Sequence, residues 1–414
     1  MRILIESLFL IGLGIFLLSG IISPYTFFFW NLISLPLNFQ FVTIFDLPLQ
    51  IVTLTLSVLI VFLSKDLGKC RDLMLFRCWL GFVGVIVISE LLMSDQEVDS
   101  NILYWLLSIV VFRLVLSPPT INRFILPERL LVPAGVIAAF SSLALLYIPT
   151  LNFLIPNSKR FLVNEFGNLR LGGVLGDYEL FAELLCLSLI CLFAPWRKVK
   201  KLSLFLSVSV MTIALLLTAT VSGLIAIPGV IVALAISRER IGLKVFAGSA
   251  ILLTSVFLVT TYGETLVKRI NVINTESSFT QIINRRTVWM RYDAMKEPSS
   301  IFGNGTTFNW DQFGLWPHSL YKSIVYMGGY IAMALFLSLV LVLVTRLRLG
   351  RSQSDYRLGM FVLLLLGVFL SNQVKVEFIR LGNYVIFIGA FFASLGLLLS
   401  KMTDSDESKL EKVQ

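Results

Sequence analysis

The chain has 414 residues, of which 57% are hydrophobic and 14% charged, where a soluble domain carries about 25% charged residues. This excludes an ordinary soluble fold and makes the bilayer, at roughly 20 apolar residues per helical crossing, the ruler for the chain. The net charge of +9 does not argue for nucleic acid, because the basic loops are too short to present a fold to a duplex.

Hydropathy predicts an all-α integral membrane protein of about twelve transmembrane helices. They begin near Ile3, Leu47, Leu75, Asn101, Arg129, Asp177, Leu202, Val221, Lys244, Leu320, Arg357 and Arg380. No linker divides the chain, so residues 1–414 read as a single polytopic membrane domain. The first run, Ile3–Ile22, has no small-residue cleavage site and reads as a span rather than a removable signal. Phe27–Phe45 is apolar but contains Pro36 and reads as a re-entrant or interfacial piece.

Charge placement orients the chain. With the N-terminus inside, every short inside loop is basic: Arg2, Lys65 to Arg77, Arg113 to Arg129, Arg197 to Lys201, Arg238 to Lys244, and Arg346 to Arg357. The outer turns at 23–45 and 94–100 carry no Lys or Arg. The positive-inside rule then puts both termini in the cytoplasm. Most of the remaining cations sit in two outer loops. Lys159, Arg160 and Arg170 precede the sixth span; Lys268, Arg269, Arg285, Arg286, Arg291 and Lys296 precede the tenth. Such clustering points to an anionic ligand on the outer face, against the plainer alternative of solvated surface charge.

The first outer loop ends in Arg170-Leu171-Gly172-Gly173, followed by Asp177 and a helix that carries Glu183. A helix N-terminus favours an anion, and arginine binds phosphate bidentately. Glu183 falls about two turns into the span, where a carboxylate is costly and marks either function or a structural pairing with a neighbouring Arg or helix end. The second outer loop, 263–319, between the ninth and tenth spans, is too long for a bare turn. Within it, Val288, Trp289, Tyr292 and Met295 share one helical sector over Arg285–Lys296, as in a helix lying in the membrane interface. Pro298 and Gly303-Asn304-Gly305 end that helix. Arg285 and Arg286 diverge by about 100° on a helix, and Arg286 is the one favoured to face a site; lipid headgroups are the competing anion. His318, the chain's one histidine, stands where the loop returns to the membrane, placed by Pro317 and suited to act as base or phosphate donor. The tail, 403–414, is short, charged and expected to be disordered in the cytoplasm. Cysteines form no metal-ligand spacing, and no zinc site or other metal site is expected.

Together these stretches resemble the O-antigen ligase and O-antigen polymerase superfamily. Arg170 and Ala182 stand in its Arg-x-x-Gly…Ala segment. Arg286-x-x-Trp289 followed by Phe302-Gly303-Asn304-Gly305 is similar to its Arg-x-x-Trp…Gly-x-Gly stretch. His318-Ser319-Leu320…Gly328-Gly329 is similar to its His-Asn…Leu…Gly motif. The likeness covers roughly residues 160–345, with Ser319 in place of Asn and Gly223 where Arg is usual. It implies a multi-pass enzyme of the bacterial inner membrane whose active site faces the periplasm. A glycan on undecaprenyl diphosphate would be the donor, and C1–O–phosphate cleavage would proceed with inversion. Arginines would hold the diphosphate, so no metal and no cofactor is implied. Arg170 and Arg286 would take the diphosphate, with Arg160, Arg285, Arg291 and Glu183 as further substrate contacts. His318 would take the acceptor proton or hold the diphosphate, and Glu165 and Asp311 are rival bases. The acceptor would be another lipid-linked repeat, making a polymerase, or lipid A-core, making a ligase; polymerase is preferred. A chain-length regulator is a candidate partner. A transporter or flippase for polyprenyl-linked sugars is the alternative from another class.

Overall fold

The computed structural model describes residues 23–37, 43–44, 47–64, 68–93, 101–118, 124–147, 161–163, 169–196, 201–218, 220–237, 248, 301–306, 319–347, 353–373, 378–380 and 382–410. Apart from two short antiparallel ladders, the regular elements among them are helical. They are α1 Pro24–Ser34, α2 Leu49–Leu63, α3 Leu73–Met93, α4 Asn101–Val115, α5 Pro127–Tyr147, α6 Tyr178–Leu192, α7 Lys201–Thr218, α8 Val221–Ile236, α9 Leu320–Thr345, α10 Gln353–Asn372 and α11 Gly382–Leu410. In the ladders, β1 Thr43–Ile44 pairs with β2 Leu47–Pro48, and β3 Phe161–Val163 pairs with β4 Leu169–Leu171.

Helices α2 to α11 each start within a few residues of an expected span. The expected spans near Ile3 and Lys244 lie outside the described residues. Among the described residues, four stretches are long and apolar enough to cross a membrane: Leu73–Leu92, Leu320–Thr345, Asp355–Asn372 and Gly382–Ser400. The chain is therefore a membrane-embedded helical protein. Shorter apolar helices such as α2 and α4, each 15 residues, rise about 22 Å, less than the roughly 30 Å hydrocarbon core.

The segment expected to be re-entrant or interfacial holds α1, a helix of 11 residues with Tyr25, Phe27, Phe28, Leu32 and Ile33 buried. Pro24 opens it, at a position where the missing N–H has no helical partner to lose. It packs against α2 and α5, so it belongs to the bundle. The tail departs from expectation: α11 runs on to Leu410, through residues 403–410 that were expected to be disordered. Extending an existing helix adds one hydrogen bond per residue without a new nucleus, so even a polar segment follows it.

α11 is the central helix. Its apolar stretch is 94% buried, against 39–44% for the other three, so it is enclosed by protein while they face lipid on one side. Because lipid is as apolar as leucine, close packing rather than water exclusion holds such helices together. Aromatic rings fill the contact: Trp79 of α3 stacks on Phe112 of α4 at 5.1 Å and meets Phe392 of α11 at 6.3 Å. A Cβ at Gly389 would lie 2.9 Å from the Trp79 ring, so the small residue sets the approach of α11 to α3.

α3 and α9 pack side by side in opposite directions. At one end, Asp72 accepts the N–H of Leu75 at 2.8 Å and forms an ion pair with Arg346. The carboxylate thus caps α3 and neutralises a cation just past the end of α9. Arg71 lies over Phe124 and Arg113 over Phe76 in the same half.

Candidate functional site

At the opposite end of the bundle the buried polar groups collect. The first element is the hairpin that carries Arg170. Its register pairs Phe161 with Leu171, Leu162 with Arg170, and Val163 with Leu169. Arg170 therefore lies in the second strand, directly before a single 3-10 turn, Gly173–Leu175. Gly173 sits at φ 60°, and a Cβ there would come within 2.6 Å of the Ser142 hydroxyl and 2.8 Å of the Phe181 ring. Both the left-handed backbone and the close approach require glycine at this position. Gly176 at φ 70° then turns the chain into α6.

The Asp177 carboxylate caps α6, accepting from Glu179 N at 2.9 Å and Leu180 N at 3.1 Å. This corrects one sequence expectation. The backbone donors at this helix start are already occupied, so they do not form an open anion cradle. Aspartate is among the strongest N-caps, at about 1 kcal/mol, and its charge already answers the helix dipole.

Glu183 is fully buried in the second turn of α6. Of the two structural pairings expected for it, an arginine or a helix end, the partner is at a helix end but bonds through a side chain: the amide of Gln373, just past α10, donates to it at 2.6 Å. Gln373 follows the last residue of α10 and uses every polar group it has. Its backbone N–H donates to Phe369 O at 3.1 Å, its carbonyl accepts Leu320 N–H at 2.9 Å, and its side-chain oxygen accepts Phe378 N–H at 3.3 Å. Gln373 thereby ties α6, the start of α9 and the turn before α11 at one point. Leu320 is the second residue after His318 in the chain. Tyr384, in the first turn of α11, lies within electrostatic reach of Glu183 and Asp177. Glu183 Oε2, the Tyr384 hydroxyl and both polar atoms of Asn372 are buried without a hydrogen-bond partner among the described residues. Buried atoms of this kind carry a desolvation cost and are open to one more partner.

The third motif-bearing stretch docks on α9. Residues 301–306 lie against its first half: Asn304 N–H donates to Tyr326 O at 2.7 Å and Gly305 N–H to Met327 O at 2.9 Å. On α3, the Ser89 hydroxyl donates to the Phe302 carbonyl, and the Glu90 carboxylate accepts the N–H of Thr306. Gly303, Gly305 and Gly329 all have positive φ. Tyr321, in the first turn of α9, donates its hydroxyl to Leu370 O on α10 at 3.0 Å.

Of the residues expected at the site, Arg170 lies in β4 and Glu183 in the buried network. His318, Arg286, Arg160, Arg285 and Arg291, the rival bases Glu165 and Asp311, and the interfacial helix over 285–296 lie outside the described residues. Sequence reasoning missed Gln373. Its one signal was an amide at the end of a long apolar run, a pattern shared by many helix ends.

No protein-family model matches the chain, and no curated protein matches it either.

Proposed function

We propose that the chain is an inverting glycosyltransferase of the O-antigen polymerase and ligase type, acting on undecaprenyl-diphosphate-linked glycans at the outer leaflet of the bacterial inner membrane. In this account about twelve helices span the bilayer with both termini cytoplasmic, and the loop between the ninth and tenth spans is periplasmic. The acceptor hydroxyl oxygen attacks the donor sugar at C1. The C1–O–phosphate bond breaks, and the lipid diphosphate leaves with the bonding electrons. The hydroxyl proton passes to His318 or a neighbouring base. Arg170 and Arg286 hold the diphosphate as its charge grows, with Arg160, Arg285 and Arg291 as secondary contacts to it and Glu183 as a contact to another part of the substrate. The acceptor is a second lipid-linked repeat, with lipid A-core as the alternative.

The observation that supports this reading is convergence. The stretch after Arg170 leads into α6, whose Glu183 meets Gln373; Gln373 holds Leu320, next but one to His318. The Phe302–Gly305 stretch rests on the same helix, α9. Segments far apart in sequence are thus both tied to the first half of α9, one through Gln373 and one directly.

One feature favours a transporter instead. α9 is discontinuous at Gly329, with φ 65° and ψ −166°, and broken helices are common in secondary transporters. Transporter breaks lie near the bilayer midplane. Glu90, beside this break, lies roughly 27 Å along α3 from the Asp72 end at about 1.5 Å per residue, and that distance favours the outer interface. Cells carrying Arg286→Ala or His318→Ala separate the two. An enzyme predicts loss of glycan linkage, with lipid-linked units gathering on the outer face. Accumulation on the inner face would establish a flippase and overturn the transferase.

A further inference from the structure

We propose that Glu90 is a positioning residue, which docks the end of the outer loop into the break of α9. That it positions a reacting loop rests on the transferase reading above; the docking itself does not. In an unbroken helix the carbonyls of Tyr326 and Met327 would accept N–H groups four residues on. The positive φ of Gly329 interrupts that ladder. The loop backbone takes over on both sides of the gap. Asn304 and Gly305 donate to Tyr326 O and Met327 O, while Ile301 O accepts Ile331 N–H at 3.4 Å. A freed backbone group in a membrane protein is tolerated only where protein satisfies it again, and here residues 301–305 do so.

Glycines make the fit. A Cβ at Gly303 would meet the Met327 carbonyl at 2.5 Å, and one at Gly328 would meet Ile86 of α3 at 2.9 Å. A Cβ at Gly305 would meet the Glu90 backbone at 2.6 Å. The segment is therefore pressed between α3 and α9 at backbone distance. Glu90 is fully buried, costly for a carboxylate in a span unless it accepts hydrogen bonds, and it accepts the Thr306 N–H. Ser89 holds Phe302 from the same turn of α3. Twelve positions after Thr306 in sequence comes His318, so this dock fixes where the reacting part of the loop begins.

The test is amide exchange of residues 301–306 in lipid nanodiscs, run beside turnover of a lipid-linked repeat, on wild type, Glu90→Ala and Glu90→Gln. Glu90→Ala is expected to speed exchange of 304–306 at least about tenfold. It is also expected to cut kcat on the order of a hundredfold with a smaller change in KM. Glu90→Gln keeps an acceptor oxygen and is expected to restore both to within a few-fold of wild type. Unchanged exchange in Glu90→Ala overturns the docking, and faster exchange with intact kcat overturns the positioning role. Damage from Glu90→Gln equal to that from Glu90→Ala overturns the hydrogen-bond assignment. Should Glu90→Ala not fold, Ser89→Ala removes one donor from the same turn and carries the same expectation at smaller size. Wild type that shows Glu90-dependent exchange but no transfer sustains the docking and overturns the transferase reading instead.

Discussion

Replacing Gln373 with leucine removes the side chain that joins α6 to the turn before α11, at nearly constant volume, and leaves the backbone bond to Leu320 in place. Two bonds are lost: the 2.6 Å bond to Glu183 and the 3.3 Å bond from Phe378 N–H. Leaving a buried acceptor without its donor costs about 1–3 kcal/mol, and the longer second bond adds about 0.5–1 kcal/mol. Gln373→Leu is thus expected to destabilise by about 1.5–4 kcal/mol, or roughly 3–8 °C in Tm at about 2 °C per kcal/mol. The double variant Glu183→Leu/Gln373→Leu removes both partners and is expected to recover on the order of 1–2 kcal/mol. Cys186 and Cys191 are buried on the same helix as Glu183, so their reaction with a thiol dye on heating reports the opening of α6. A single variant within about 1 °C of wild type would refute the assignment. So would a double variant whose loss equals the sum of the two singles, since that means no coupling.

Gly329→Ala and Gly303→Ala place a side chain at φ 65° and φ 78° and against backbone, so each is expected to cost more than about 2 kcal/mol in the same melting assay. Gly84→Ala in α3 meets nothing within 4 Å and is expected to be neutral or to gain up to about 0.5–1 kcal/mol from helix propensity. Asp72→Ala removes the α3 cap and the partner of Arg346, which is 34% exposed; a loss of about 1–2 kcal/mol is expected, discounted for the solvent access of the arginine. Asp72→Asn keeps a capping oxygen but not the charge, and its melting point is expected to fall between those of wild type and Asp72→Ala.

Helix positions were legible because apolar runs of span length leave few alternatives, and every helix from α2 to α11 starts near a predicted place. The polar network was only half legible. Glu183 stood out as a carboxylate inside a span, but neither its partner nor that of Glu90 was readable. Gln373 bonds to Glu183 across 190 positions and Thr306 to Glu90 across 216, and no local periodicity encodes pairings that distant. Asp177 read as the start of an anion-binding helix, and its own side chain takes the donors that an anion would need. Gly328-Gly329 read as part of a motif within a continuous span. The break at Gly329 becomes intelligible only with Gly303 and Gly305 lying against it, since a glycine pair alone does not say whether a helix bends or stops.

Transfer of the proposed lipid-linked glycan can be measured with purified protein and a lipid-linked oligosaccharide repeat as the only substrate, run beside Arg170→Ala, Arg286→Ala and His318→Ala. Wild type is expected to build a ladder of growing lipid-linked chains, and the three variants none. Transfer seen only after lipid A-core is added would make the protein a ligase. No transfer to either acceptor, from a donor that a related enzyme uses, would overturn the proposed glycosyltransferase.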